Sequence, residues 1–421
     1  MLLKKLTIKG FKSIVNESLE FGRVNLFLGP NGAGKSNVLE AIGVMGAALG
    51  RDITDAELQR KGVRLSVPTL FKSSFKNRTL RINFDLEAVM SRSVSYDVRI
   101  TASESSQSLR FFTEHIVHKN ITYMGRSNHG ITLRGDLEPR KDVSPDRGLW
   151  DRFRELIDCP EDLSDELNKL SKFSIYAPQT TFLRGTDVES VPVRPVGLLG
   201  GGLPQAAAAV LMNPVLKSSE VRELVDDILG LVWMPGWANQ FEIAPADPAI
   251  VSSQVRTAEQ TLYFRDKFMK RGRDMLSAYD SSEGTLYLLF LAVLALHPEA
   301  PKIFALDNVD NALNPAVTRV LLEKLISLTC ESKYREFGIG PEQVFMTSHN
   351  PTSLDAFDIF DDNQRIFVVS REKDTGYTKV ERLLPSENMT RSDWIRIAKG
   401  KNLSEMLISG MIKNALGDTD L

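Results

Sequence analysis

Residues Leu2–Ile8 alternate apolar and polar side chains and Leu19–Leu28 is strand-like, so both stretches predict β-strands. The second runs directly into Gly29-Pro30-Asn31-Gly32-Ala33-Gly34-Lys35-Ser36, and a helix is predicted from there to about Leu49. Its apolar positions, Val38, Leu39, Ala41, Ile42, Val44, Met45 and Leu49, cover most sides, which predicts burial. Leu80–Leu86 and Val94–Thr101 read as further strands, an antiparallel edge added to a parallel core. Between Ala102 and Leu170 the pattern weakens. The polar run Ser103–Gln107 and the charged run Arg134–Asp142 predict an insertion of hairpins, loops and a short helix.

Ser174-Ile175-Tyr176 re-enters a strand, Gly200-Gly201-Gly202 marks a sharp turn, and Ser219–Val232 has the spacing of an amphipathic helix. A helical subdomain is expected between Leu203 and Leu276. The last third alternates helix and strand: helices at Leu286–Leu296 and Ala316–Leu328, strands at Ile303–Leu306, Gln343–Met346 and Ile366–Val369. One or two helices follow Arg391. The fold class is therefore α/β. No internal repeat is visible, nor a heptad run long enough for a coiled-coil arm.

At 421 residues, 42% of them hydrophobic, the chain can bury a full core. Its 52 Lys+Arg against 54 Asp+Glu leave a net charge of −2, so a polyanion site has to be local. Cys159 and Cys330 are far apart with no ligand-spaced Cys or His around them, so neither a disulfide framework nor a zinc site is suggested, and a reducing cytoplasm fits best. The N-terminus lacks the features of a signal peptide. The longest apolar run, Leu286–Leu296, is too short to span a bilayer, so no membrane segment is read.

Chemistry concentrates in the glycine-rich turn. Gly29-x-x-x-x-Gly34-Lys35-Ser36 follows an apolar strand and opens a helix, the context in which this pattern cradles a triphosphate. Backbone N–H groups of Asn31, Gly32, Ala33 and Gly34 and the helix N-terminus face the phosphates, Lys35 meets the β/γ oxygens, and the Ser36 hydroxyl ligates Mg²⁺. ATP with Mg²⁺ is the expected cofactor pair. Ile303–Leu306 ends in Asp307, where a carboxylate can hold the magnesium through water.

Ser281-Ser282-Glu283-Gly284-Thr285 precedes the helix Leu286–Leu296 and resembles the ABC signature, in which a Ser and a Gly reach the γ-phosphate of the opposite subunit. The same residues also suit an ordinary N-capped buried helix. Asn311-Ala312-Leu313-Asn314-Pro315 resembles a D-loop, and His349, ending Val344–Ser348, a switch histidine. With the P-loop, these stand in the order that ABC-type heads use. Together with Gly10-Phe11-Lys12-Ser13-Ile14 and Ser36-Asn37, they make the chain resemble the RecF/SMC/OLD group of ATPases, closest to compact antiphage-defence members without coiled coils.

The resemblance implies a P-loop NTPase with an ABC-type head: a mixed sheet core, an antiparallel edge and a helical subdomain. It implies head-half 1–101, inserted element 102–170, helical subdomain 171–280, head-half 281–390 and terminal helices 391–421. It implies a head-to-tail homodimer, or a higher oligomer of dimers, in which Ser282 and Gly284 close over the partner's nucleotide and His349 senses the γ-phosphate. Gln179 would be the Q-loop metal ligand beside Ser36 and Asp307, though a plain loop glutamine fits equally; Lys12 would approach the α-phosphate. An effector nuclease or toxin encoded nearby would be the partner, with a DNA-binding repair ATPase and a non-hydrolysing scaffold as alternatives.

Two features depart from the family. Asn308 stands where a glutamate usually polarises the attacking water, which predicts slow hydrolysis unless Asp310 or His349 substitutes. Asp358, Asp361 and Asp362 offer carboxylates, but too little chain follows for a Toprim domain, and they read as a solvated loop. Arg265, Lys267, Lys270, Arg271 and Arg273, interleaved with Phe264 and Phe268, form the strongest basic patch: if helical, either a solvated face or a DNA contact. His115 and His118 have no third ligand nearby in sequence.

Overall fold

Alternating burial along Leu3–Phe11 (β1) sets one face of an antiparallel sheet, and Ile14–Glu20 (β2) folds back on it. The strand expected over Leu19–Leu28 is broken at Gly22, and Val24–Leu28 (β3) leaves for a second sheet. A Cβ at Gly22 would lie 2.5 Å from the Asn363 carbonyl oxygen, so the close approach at this break requires glycine. The first sheet continues with Asn83–Met90 (β4), Val94–Thr101 (β5), Arg110–His118 (β6), Ile121–Ser127 (β7) and Gly130–Leu133 (β8), in the order β2-β1-β4-β5-β6-β7-β8. Part of the stretch expected as an insertion thus extends the same sheet. The computed structural model describes residues 2–76, 82–102, 108–141, 144–385 and 389–409. Leu80, Arg81, the run Ser103–Gln107, Asp142 and residues 410–421 lie outside the described residues.

The chain forms two compact units. The first holds residues 1–175, 302–308 and 342–421, and the second 176–301 and 309–341. The edge strand Ser174–Tyr176 (β9) is where the chain leaves the first unit. In the second, helices Leu203–Met212, Arg222–Leu229, Glu283–Leu296 and Pro315–Cys330 accompany a three-stranded antiparallel sheet: Ala238–Ala244 (β10), Thr261–Asp266 (β11) and Met275–Ser277 (β12). That sheet corrects the expectation of helix through Leu276 and of a helical basic patch. The β-branched and aromatic run Thr261-Leu262-Tyr263-Phe264 prefers the pleated, half-buried surface. Gly272, at φ +86°, helps turn the chain between β11 and β12.

The chain re-enters the first unit as Ile303–Leu306 (β13) and, later, Gln343–Ser348 (β14), Gln364–Arg371 (β15) and Thr378–Arg382 (β16). The second sheet runs β16-β15-β3-β14-β13-β9, with β15, β3, β14 and β13 mutually parallel. The helix Lys35–Gly50 is buried along nearly its whole length, as its apolar composition predicts. Phe21, Phe27, Phe345 and Phe367 form the aromatic centre of this core, with Phe27 stacked on Phe367 at 5.0 Å. Short helices Arg391–Ala398 and Leu403–Ile408 each carry a capping box.

One buried amide stitches the two sheets of the first unit together. Gln343, with no exposed surface, accepts the Leu3 N–H at 2.9 Å and donates to the carbonyls of Leu3 at 2.8 Å and Gly22 at 2.7 Å. Removing it strands three buried backbone groups, each costing about 1–3 kcal/mol. Gln343→Ala should therefore lower the melting temperature by roughly 5–10 °C in a thermal scan. A shift under about 1 °C would show that the amide is dispensable.

Candidate functional site

The P-loop turn is forced by its packing. A Cβ at Gly34, where φ is +109°, would sit 2.3 Å from Thr378 Oγ1, and one at Gly29 would sit 2.1 Å from the Val369 carbonyl oxygen. Only glycines allow the loop to lie this close to β15 and β16. Thr378 Oγ1 donates to the Ala33 carbonyl at 2.8 Å, and Arg371 Nε to that of Gly32 at 3.0 Å, which pins the turn. Lys35, 6% exposed, donates to the carbonyls of Gly29 at 2.7 Å and Pro30 at 3.0 Å. A phosphate entering the loop would compete for that ammonium with charge-assisted bonds.

Asp307 ends β13 and accepts the Ser36 hydroxyl at 3.0 Å on both carboxylate oxygens. Thr347, on β14, donates to Asp307 Oδ1 at 2.5 Å and accepts the Asn308 N–H at 2.8 Å. A hydroxyl and a carboxylate thus face each other where a hard, oxygen-seeking ion such as Mg²⁺ would bind, and the donor set fits it. Asn308 is exposed with φ +57°, a left-handed conformation in which Asn is far better tolerated than most residues. His349 is exposed at the end of β14, the strand beside β13.

A second layer of charge lies beside the loop. Glu40, 2% exposed on the P-loop helix, pairs with both Lys12 and Arg64. Burial pushes the Lys12 ammonium below its ordinary lysine value even with Glu40 adjacent. Burial alone would lower Arg64 too, but Glu40 carries its guanidinium above the usual value. Arg64 also donates to Asn37 Oδ1 at 3.2 Å, and Asn37 donates to Ser13 Oγ at 2.7 Å. Lys12, Ser13, Asn37, Arg64, Lys72, Phe75 and Arg371 line an open cleft of about 550 Å³. Phe75 and Tyr377 meet there with ring centroids 4.8 Å apart.

The remaining expected site residues belong to the second unit. Ser282 is exposed at the start of Glu283–Leu296, and its side chain makes no cap hydrogen bond to that helix, so the plain N-cap reading is not met. A Cβ at Gly284 would lie 3.3 Å from the Ala312 carbonyl oxygen and 3.2 Å from Leu313 Cδ2, so the signature-like turn packs directly on the D-loop-like segment. Asn314 caps the next helix by accepting the Val317 N–H at 3.0 Å. Asp310 is 9% exposed; burial and then its charge push the Tyr287 phenol upward. Gln179 is exposed ahead of the four-residue helix Thr180–Leu183.

Glu40, Arg64, Lys72, Phe75, Thr347, Arg371 and Tyr377 were not singled out by the sequence. A lone carboxylate within an otherwise apolar helix was the available signal for Glu40. The others come from two loops and two strands with no local pattern. Among the described residues, no three His, Cys, Asp or Glu side chains group closely enough to hold a metal, His115 and His118 included.

A model of the RecF/RecN/SMC N-terminal domain matches residues 2–374. Over 57 residues the chain is 49% identical to the DNA replication and repair protein RecF of Magnetococcus marinus, a stretch covering 13% of this chain and 14% of that relative's length. The crystal structure of an SMC head bound to the C-winged helix domain of ScpA covers 92% of this chain and 100% of its own, with a TM-score of 0.50 at 15% identity. An SMC head domain from Thermotoga maritima covers 91% and 100%, with a TM-score of 0.44 at 15% identity. At that identity the ScpA-bound head speaks for the fold alone.

Lys12→Ala should weaken Mg-ATP binding by roughly tenfold in a calorimetric titration, the worth of a charge-assisted hydrogen bond. Unchanged affinity would remove Lys12 from the nucleotide site.

Proposed function

The chain belongs to the RecF/RecN/SMC N-terminal domain family and has an ABC-type ATPase head, and we propose that it works as a slow, nucleotide-gated dimerisation switch. The observation that carries this reading is the Ser36–Asp307 contact beside Lys35 in the glycine cradle. Mg²⁺ would be held by Ser36 and Asp307. When bound, it would neutralise charge on the β- and γ-phosphates. Lys35 and the backbone N–H groups of Asn31–Gly34 would orient the triphosphate, Lys12 its α-phosphate, and His349 would sense the γ-phosphate from the end of β14.

Ser282 and Gly284 would close over the nucleotide of a second, head-to-tail copy. The uncapped Ser282 hydroxyl supports this, since it has no competing bond to its own helix. Asn308 can orient a water but cannot take its proton, and general-base assistance typically contributes ~10²–10⁴-fold. Such a head holds its ATP-bound pair for long periods, the property required of a switch controlling a partner effector. That partner, a nuclease or toxin in phage defence, rests on the family resemblance. Among the described residues, no helix is long and apolar enough to cross a membrane.

Phosphate release from purified protein, with Lys35→Ala as the blank, tests turnover: a slow rate above that blank is expected, and equal rates would remove the ATPase claim. Asn308→Glu should then raise the rate by at least about tenfold, despite roughly 1 kcal/mol of left-handed backbone strain. No gain would mean that water activation is not what limits this site.

A further inference from the structure

Within the second unit, residues from Gly185 to Gln205 and from Arg256 to Ala258 enclose a cavity of about 320 Å³, a volume suited to a small molecule. Val188, Pro192, Val193 and Pro195 give it apolar walls. Three charged residues also line it, Asp187, Glu189 and Arg256, and none of them forms an ion pair among the described residues.

Glu189 is built into the wall. Its Oε1 accepts the Leu199 N–H at 3.0 Å and the Gly201 N–H at 2.8 Å, and a Cβ at Gly197 would lie 2.0 Å from the same oxygen. Only glycine at 197 leaves room for a carboxylate there. Two backbone donors thus fix one oxygen, while Oε2 makes no hydrogen bond among the described residues. Asp187 is likewise half satisfied, its Oδ1 taking the Val188 N–H at 2.8 Å. Arg256 is exposed, with no hydrogen bond among the described residues.

These groups select the guest. A purely apolar molecule would cover charges without pairing them, which costs free energy. An amine alone leaves Arg256 unmatched, and a carboxylate alone leaves Glu189 and Asp187 unmatched. A zwitterion on an apolar body meets both signs with charge-assisted bonds.

The cavity wall is tied to the signature-like turn. Leu199, whose N–H goes to Glu189, accepts the Gln179 N–H on its carbonyl at 2.9 Å. Thr180, next in sequence, donates its hydroxyl to the Glu283 carboxylate, and Arg184, just before Gly185, donates to the Ser281 carbonyl at 3.4 Å.

We propose that this cavity binds a small zwitterion with an apolar body, an amino acid or short peptide. Its ammonium meets Glu189, its carboxylate meets Arg256, and its side chains rest on Val188 and Val193. The Gln179–Thr180 segment links occupancy to the signature-like turn. The cavity needs only its own chemistry; the link rests on the nucleotide-gated dimerisation proposed above. Because coupling between two ligands is reciprocal, the zwitterion and Mg-ATP should change each other's affinity.

Calorimetric titration of the full chain with leucine and with leucyl-leucine tests the cavity, the tighter of the two telling amino acid from peptide. Saturable binding is expected, with the one-charge compounds isoamylamine and isocaproate at least about tenfold weaker. Glu189→Gln, which keeps an acceptor for both N–H groups, should weaken the zwitterion about tenfold and leave isocaproate unchanged. Arg256→Gln should weaken it as much and leave isoamylamine unchanged. Ala258→Trp, which fills the cavity, should abolish binding in a chain that still melts cooperatively. Lys35→Ala should bind the zwitterion as wild type does, so failure of the nucleotide site would not be mistaken for failure of this one. No saturable heat from either compound, or binding indifferent to both Glu189→Gln and Ala258→Trp, would overturn the cavity. In light scattering, the tighter ligand should shift the Mg-ATP concentration for half-dimerisation by at least about fivefold. Thr180→Val should remove that shift while keeping zwitterion affinity within about twofold. Dimerisation that ignores the ligand, or a shift surviving in Thr180→Val, would overturn the link. No dimerisation with Mg-ATP would overturn the link together with the switch beneath it, while the cavity is judged by its own titration.

Discussion

The parallel register of β13, β14 and β3 is the constraint on which the site depends. Leu306 lies opposite Met346, and Ser348 opposite Leu28. With those pairings, Asp307, His349 and Gly29 all emerge from the carboxyl ends of neighbouring strands, the edge where open α/β sheets bind ligands. A slip of one residue in either pairing would turn every side chain of that strand to the other face. Close packing on both faces resists such a slip, because β3, β13 and β14 are buried at every position. Gln343 adds a specific lock at the opposite end of β14.

From this register follows a site whose charge is arranged before any ligand arrives. Lys35 rests on two backbone carbonyls, Ser36 and Thr347 both point at Asp307, and Glu40 holds Lys12 and Arg64 beside the cleft. These contacts keep the cations and the carboxylate in place, and a phosphate would have to compete for them with charge-assisted bonds of its own. Asn308 follows Asp307 directly, and its backbone gives a reason of its own for that residue. At φ +57° a short amide side chain is accommodated, whereas a longer carboxylate is strained.

Much of this was legible in the chain itself. The pattern Gly29 to Ser36, bounded by an apolar strand and helix, is local in sequence, and the structure places it where that pattern requires. The places of Asp307 and His349 just beyond β13 and β14 were readable because each follows a short apolar strand. The stretch from Ala238 to Ser277 was misjudged, since three short strands with cations between them carry little periodicity to separate sheet from helix. Arg64, Phe75 and Arg371 were invisible for another reason. They meet at the cleft from a loop and a strand more than 290 residues apart, and only the packing of the P-loop against β15 and β16 brings them there.

A structure of the protein with a non-hydrolysable ATP analogue and magnesium tests the central claim most directly. The account predicts the triphosphate in the Gly29–Ser36 turn, magnesium between the Ser36 hydroxyl and the Asp307 carboxylate, and Lys35 released from its carbonyls onto phosphate oxygens. A nucleotide bound elsewhere, or a turn left empty at saturating analogue with Lys35 still on Gly29 and Pro30, would contradict it.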